Sequence, residues 1–318
     1  MNKNRLLKLL NIFIKYTDEE HFLSMQDIIT LLEQEDIFVS RKAIYDDIKV
    51  LRENGYDIEI IKGKQMKYHL LNHTFDLIEA KLIYDSINSI NFLSSKTTQS
   101  LSNKLLDNMS IYQKESIINS SLKTNSKYDN DKTLYILSDL QNAISNAYLV
   151  SFNYFDITLD KQKKYRYDKK QYELLPYALV LIQQRYYCIF YSLQHKSFSN
   201  YRVDKIDNLI IKNESLEKIP FNLEEYLSKS FKMFAGNPEN ITIQFQNELL
   251  NVVLDEFGLD LLIIDKSDTH FTINITTTIT DNFLSWISQF KNKAKIIAPI
   301  SIIERYKQHL KDILNTYI

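Results

Sequence analysis

The chain has 318 residues, 44% hydrophobic and 25% charged, with a formal net charge of -1, a balance that fits two or three soluble globular domains. That near-neutrality excludes gathering a partner by bulk charge and leaves the matter to local distribution. Four Gly and four Pro predict long regular elements, the lone Cys188 excludes an intramolecular disulfide or cysteine metal cluster, and no apolar run reaches the roughly 18 residues of a membrane span.

The opening MNKNRLLKLLNIFIKY is basic and apolar like a signal peptide, but Asn11 and Lys15 interrupt the apolar run and no small-residue cleavage site follows. Its Leu6, Leu7, Leu9, Leu10, Phe13 and Ile14 recur at helical spacing, which predicts an amphipathic helix from Asn4 to Tyr16 and a cytoplasmic protein. A second helix, Met25 to Glu33, follows a capping Ser24. A third, Arg41 to Asn54, follows a capping Ser40 and stops at Gly55. In the third, Ile44, Ile48 and Leu51 form the stripe to be buried. Arg41, Lys42, Tyr45, Lys49 and Arg52 lie elsewhere on the cylinder, as a helix entering a major groove requires. Asp57 to Ile61 and Gln65 to Leu71 predict a hairpin around Lys62-Gly63-Lys64, where Lys62, Lys64 and Lys67 suit phosphate contact. Met1 to Asn72 is not itself basic, with 11 Lys and Arg against 12 Asp and Glu, so a small helical domain with solvated charges competes with the DNA-binding reading. The acidic residues gather at Asp18 to Glu20 and Glu33 to Asp36. Asp46 and Asp47 are the exception and have to point off the phosphates.

The stretch VSRKAIYDDIKVLRENGYDI, with the lysine-rich hairpin after it, resembles the winged helix-turn-helix of DeoR-like bacterial regulators that carry a WYL domain. That family has Ser-Arg-Lys/Arg-Thr-Ile-x-Arg-Asp-Ile-x-x-Leu here. Ser40, Arg41, Lys42, Ile44, Asp47, Ile48 and Leu51 fit, whereas Ala43 stands in place of Thr and Asp46 in place of Arg. Pattern and resemblance together give Ser40, Arg41, Lys42, Tyr45, Lys49, Arg52, Lys62, Lys64 and Lys67 as candidates for contact with a double-stranded DNA operator.

Helices are next expected at Phe75 to Asn91, about Thr97 to Met109 and about Lys132 to Ala147, with Ser116 to Asp131 a loop or a weak helix. This segment reads as a linker that spaces the domains and adds dimer contacts. From Tyr148 the period becomes two, predicting strands at Tyr148 to Tyr154, Tyr177 to Ile182, Tyr186 to Tyr191 and Phe198 to Val203. Ala147 to Ile219 carries 12 Lys and Arg against 8 Asp and Glu, a local net of +4, and ten of the 21 tyrosines fall between Tyr148 and Tyr201. The run Lys161 to Lys170 reads as a solvated hairpin, and strand tyrosines are ordinarily half-buried packing. The combination of Arg185 and Arg202 with Tyr154, Tyr186 and Tyr201 in one small sheet is suited to an anionic, planar ligand.

Here the resemblance becomes specific. The WYL domain, a small Sm/SH3-like β-barrel, is named for a Trp-Tyr-Leu triplet where this chain has Tyr186-Tyr187-Cys188. Its later phrase Phe-Arg-Leu-Asp-Arg-Ile is matched by Tyr201-Arg202-Val203-Asp204-Lys205-Ile206, and FNLEEYLSKSFKMFAG (Phe221 to Gly236) resembles its linker to a C-terminal extension. The resemblance implies that exposed Tyr and Arg side chains sense a nucleotide or single-stranded nucleic acid, with Tyr154, Arg185, Tyr186, Tyr201 and Arg202 the ligand-binding candidates. Cys188 is expected to point into the barrel.

After Pro238 the pattern predicts a strand (Ile241 to Gln246), a helix (Glu248 to Phe257) ended by Gly258, and strands Leu259 to Ile264 and Thr269 to Thr277. A helix (Asp281 to Phe290), a strand (Ala294 to Ala298) and a helix (Ser301 to Asn315) follow. That β-α-β-β-α-β order is ferredoxin-like. Trp286, with Phe283, Ile287 and Phe290, belongs to a packing face, and the segment resembles the family's C-terminal extension.

No phosphate loop, G-x-S-x-G elbow or HExxH is present, and the six histidines show no ligand set; no enzyme activity, cofactor or metal is expected. The whole reads as an α+β multidomain chain. A winged helix-turn-helix spans residues 1–72, a helical linker 73–146, the WYL β-barrel 147–219 and a ferredoxin-like extension 220–318. The expected protein is a ligand-responsive, homodimeric DNA-binding regulator. The competing reading is an RNA- or single-strand-binding accessory protein that uses the middle domain as its main surface.

Overall fold

Local capping chemistry sets most of the first unit. The computed structural model describes residues 3–71, 73–121, 132–231, 233 and 238–317 and has a mixed α+β architecture in two compact units, Met1–Asp131 and Lys132–Ile318. Helix α1 (Lys3–Tyr16) buries Leu9, Ile12 and Phe13. A two-residue strand β1 (Leu23–Ser24) leads into α2 (Met25–Glu33), where Ser24 and Asp27 form a reciprocal capping box. Helix α3 (Arg41–Glu53) starts at the Ser40 cap and buries Ile44, Asp47, Ile48 and Leu51. It ends in a Schellman turn: Gly55, at φ 92°, donates to Arg52 O and Tyr56 donates to Leu51 O. Strands β2 (Ile58–Ile61) and β3 (Lys67–Leu70) form the expected hairpin, and β1 adds to β3 in an antiparallel sheet ordered β1-β3-β2. Fully buried Phe13, Ile28, Leu32, Ile44 and Tyr68 meet in one core, each contributing about 1.5–3 kcal/mol by leaving water.

Helices α4 (Leu77–Ser89), α5 (Ser95–Leu106) and α6 (Ile111–Ser120) follow, capped by Asp76, Ser94 and Ser110. The sequence left Ser116 to Asp131 as loop or weak helix. Residues 116–120 belong to α6, and 122–131 lie outside the described residues. The joint between these helices and the segment from α1 to β3, the head, is polar. Buried Asp18 accepts from the backbone N–H groups of Glu20 and His21 and from the Ser110 hydroxyl at 2.5 Å, and it lies 2.7 Å from His21 Nδ1. Burial opposes its charge, but Ser110 and His21 outweigh that and hold its carboxyl below the usual range. His21 stacks on Tyr112 of α6 with ring centroids 3.6 Å apart.

In the second unit, α7 (Lys132–Ser145) turns Ile136, Leu140 and Ala143 into the core of the sheet that follows it. The strands are β4 (Tyr148–Ile157), β5 (Lys163–Tyr165), β6 (Gln171–Ile182), β7 (Arg185–Ser192), β8 (Ser197–Arg202) and β9 (Ile206–Ser215). They pair antiparallel in the order β5-β4-β6-β7-β8, with β9 also on β4. Strand β6 begins well before the expected Tyr177. Pro176 does not stop it, because a register shift between Pro176 and Ala178 accommodates the missing N–H. The sheet also curls on itself: the backbone N–H of Arg202, at the end of β8, donates to Tyr154 Oη on β4 at 3.2 Å.

A short helix α8 (Leu223–Ser228) precedes β10 (Pro238–Gln246), α9 (Leu250–Phe257), β11 (Ile263–Lys266), β12 (His270–Thr278), α10 (Asp281–Ser288), β13 (Ala294–Ala298) and α11 (Ile300–Asn315). Lys232 and residues 234–237 of the expected linker phrase lie outside the described residues. The sheet runs β11-β12-β10-β13, antiparallel throughout. Strand β11 starts later than the expected Leu259, because Gly258 at φ 91° and the bond from Leu261 N–H to Gly258 O make that stretch a turn. Phe283, Trp286, Ile287 and Phe290 are all buried on one core with Phe245.

Candidate functional site

Two polar surfaces stand out, one in each unit. On α3 the buried stripe leaves Arg41, Lys42, Tyr45, Lys49 and Arg52 exposed, with Ser40 exposed at the cap. Lys62, Lys64 and Lys67 are likewise exposed on the β2–β3 hairpin. Few of these charges are spent internally: Lys49 lies 3.8 Å from Glu53, and Arg41 Nη2 reaches Gln26 Oε1 at 3.5 Å. Lys67 Nζ sits 5.6 Å from the centroid of the Phe22 ring. Tyr45 is hydrogen-bonded to the buried Tyr68 phenol, which burial and that bond push well above the ordinary range. The two carboxylates of α3 part company. Asp46 is exposed, whereas Asp47 is 1% exposed and held by Arg5, Nε–Oδ2 2.5 Å and Nη2–Oδ1 2.9 Å.

In the second unit the pleat sorts the five ligand candidates. Tyr201 opposes Cys188 and Arg202 opposes Tyr187 in the β7–β8 ladder, so successive residues point to opposite faces. Tyr154 is buried. Its ring meets Tyr201 edge-on at 5.0 Å and carries the Arg166 guanidinium 4.9 Å above it. Burial pushes its phenol up to about 12. Tyr201 also packs against Phe152, Tyr172 and Phe190, and Tyr186 packs against the same core as Cys188. Arg202 is clasped by Asp204 through two bonds of 3.0 and 2.6 Å. Arg185 is exposed at the β6–β7 turn, opposite Ile182. The fold thus brings Tyr154, Tyr201 and the Arg202 backbone together and leaves Arg185 at the tip. Cys188 is fully buried, and burial pushes its thiol up.

The sequence reading missed Arg166, Asp156 and Asp207. Arg166 binds Asp156 through two bonds of 2.6 and 3.2 Å, and Lys205 reaches the same carboxylate at 2.6 Å. The Arg166 bonds, chiefly, pull the Asp156 carboxyl down to about 2. Asp207 accepts from Lys163 Nζ at 2.9 Å and from Tyr165 Oη at 2.8 Å; burial opposes its charge, but these partners outweigh it and lower its pKa. The alternation of Lys163 and Tyr165 was the available signal for this side of the loop.

Among the described residues, no group of three or more His, Cys, Asp or Glu is placed to hold a metal ion. His69 lies 2.9 Å from both Asp18 O and a Glu59 carboxylate oxygen, and His73 lies 3.0 Å from Thr17 O. Among the described residues, no helix is long and apolar enough to cross a membrane.

None of the curated proteins compared with this chain matches it. Among solved structures it is similar to the proteasome accessory factor B/C (PafBC) of Arthrobacter aurescens, at 14% identity and a TM-score of 0.30 over 99% of this chain and 49% of that one. It is also similar to a CRISPR Cas-related protein, at 11% identity and a TM-score of 0.36 over 91% of this chain and 77% of that one. The chain spans about half the length of the PafBC chain it matches. Residues 135–211, which run from α7 into β9, match the WYL domain family model, and the chain therefore carries a WYL domain over those residues.

Proposed function

We propose that this protein is a DNA-binding transcription regulator, a repressor acting as a homodimer, whose WYL domain binds a nucleotide or nucleic-acid-like effector. The observation that carries the DNA-binding half is the split fate of the α3 carboxylates. Asp47 is turned inward and neutralised by Arg5, while Arg41, Lys42, Lys49 and Arg52 stay exposed. The β1-α2-α3-β2-β3 arrangement supports the reading of the head as a winged helix-turn-helix, with α3 in the major groove and the hairpin lysines on phosphate. In a symmetric dimer two such helices would enter successive grooves about 34 Å apart. The strand order and the Tyr154–Arg202 closure support an Sm/SH3-like barrel for the middle domain, and the β-α-β-β-α-β order supports a ferredoxin-like extension.

The experiment is genome-wide recovery of bound DNA, followed by gel shifts on the best site. Replacing Arg41 and Lys42 by Ala should abolish the shift at moderate salt while leaving the oligomeric state intact; an unchanged shift would overturn the reading. For the effector half, Arg202→Ala should keep operator binding and lose the response to effector. Asp46, exposed on α3, favours one second reading: an RNA- or single-strand-binding accessory protein. Recovery of RNA in place of duplex DNA would select it.

A further inference from the structure

The turn between α2 and α3 is held from both ends. Helix α2 stops in a Schellman turn: Asp36 N–H donates to Glu33 O at 3.1 Å and Ile37 N–H to Leu32 O at 2.9 Å, with Asp36 left-handed at φ 57°. Helix α3 follows at once, where the Ser40 hydroxyl accepts from Ala43 N–H. Only Ile37, Phe38 and Val39 remain between, and they alternate. Ile37 and Val39 pack on the core of the head, whereas Phe38 is 81% exposed. Single Leu and Ile side chains are commonly left at a protein surface, and this chain has several. Phenylalanine is treated differently here: every other described one is buried or half-buried. The Phe38 ring forgoes the stabilisation of burial, on a turn whose neighbours are both fixed.

The surroundings narrow what could cover it. Arg41 and Lys42 follow on the first turn of α3 and are exposed, so the ring stands at the helix end that meets base edges in helix-turn-helix docking. Glu35 is taken by Lys8, but Glu33 and Asp36 stay exposed beside the turn and disfavour a phosphate there. A thymine C5-methyl group in the major groove carries no charge and is a group that a phenylalanine can cover.

We propose that Phe38 is a specificity-determining residue that packs on a thymine methyl group beside the bases met by the first turn of α3. This rests on the reading of the head as DNA-binding and adds to it a base contact made from outside the helix.

The test uses the full chain and the best duplex from the DNA recovery, with each thymine replaced in turn by deoxyuridine, which removes the methyl group alone. In fluorescence anisotropy titrations, replacement at one thymine of a half-site should weaken wild type about four-fold, the worth of one buried methyl group. Phe38→Ala should bind the thymine duplex at least that much more weakly and bind the thymine and uracil duplexes alike. Its denaturant midpoint should match that of wild type, because the ring is exposed; that separates a lost contact from a lost fold. Wild type that binds no duplex would overturn the DNA-binding reading, and this contact with it. Wild type that binds but is indifferent to deoxyuridine at every position overturns the Phe38 assignment alone. The same holds if Phe38→Ala keeps the sensitivity of wild type, since another residue then covers the methyl group.

Discussion

The carboxylate of Asp47 accepts two hydrogen bonds from the Arg5 guanidinium, at 2.5 and 2.9 Å, across 42 positions of the chain. One pair thereby ties α1 to α3 and removes a negative charge from the surface that carries Arg41 and Lys42. Asp47→Ala should destabilise the head by about 2–3 kcal/mol, below the full cost of breaking a buried pair because Arg5 keeps some access to water. Denaturant unfolding of the full chain measures this. Adding Arg5→Met should recover part of the loss, which an additive result would contradict.

Tyr154 Oη is the acceptor that closes the curled sheet. Tyr154→Phe keeps the ring under Arg166 and removes only that acceptor, so it should cost about 1–2 kcal/mol, the penalty for an N–H left without its partner. Tyr154→Ala also opens a cavity and should cost about 3–5 kcal/mol. Equal effects of the two variants would assign the whole contribution to the hydroxyl.

The Asp156 cluster has a defined acid limb. Its folded pKa of about 2 lies below the ordinary 3.8, so the unfolded chain binds this proton first. The stabilisation is complete above about pH 4 and is lost as pH falls through about pH 2. Because the side chain is 41% exposed, solvent screening holds the contribution to roughly 1 kcal/mol or less. Asp156→Asn should flatten stability against pH in that window, and an unchanged acid limb would remove Asp156 from the account.

Ser110 has two duties, as cap of α6 and as donor to Asp18. Ser110→Ala should therefore cost more than the roughly 1 kcal/mol typical of a lost cap, since the buried carboxylate also loses a donor. Hydrogen exchange should quicken in α6 and around Asp18 to His21 together. Quickening confined to α6 would mean that the joint carries no coupling.

What could be read beforehand was what short-range chemistry specifies. Ser24, Ser40 and Gly55 bound their helices as expected, and period-two patterning located β4, β6, β7 and β8 of the middle sheet but neither β5 nor β9. Helix α6 escaped because its capping box, Ser110 with Gln113, opens a polar stretch with little apolar stripe. Strand β6 was cut short at Pro176, a residue that local rules treat as a breaker until a register shift is known. Partner choice was less legible still. That Asp156 would take Arg166 and Lys205, and Asp207 would take Lys163 and Tyr165, depends on which strands come together. The face that seemed to unite tyrosines with arginines was divided by the β7–β8 register, which a list of residue types does not contain.

The Asp18 joint behaves mechanically like a detent. Sliding the head along α6 by part of a turn would strip the carboxylate of Ser110 and unstack His21 from Tyr112 before any replacement donor came within reach. Intermediate positions are therefore steep, and the seated position is sharply defined.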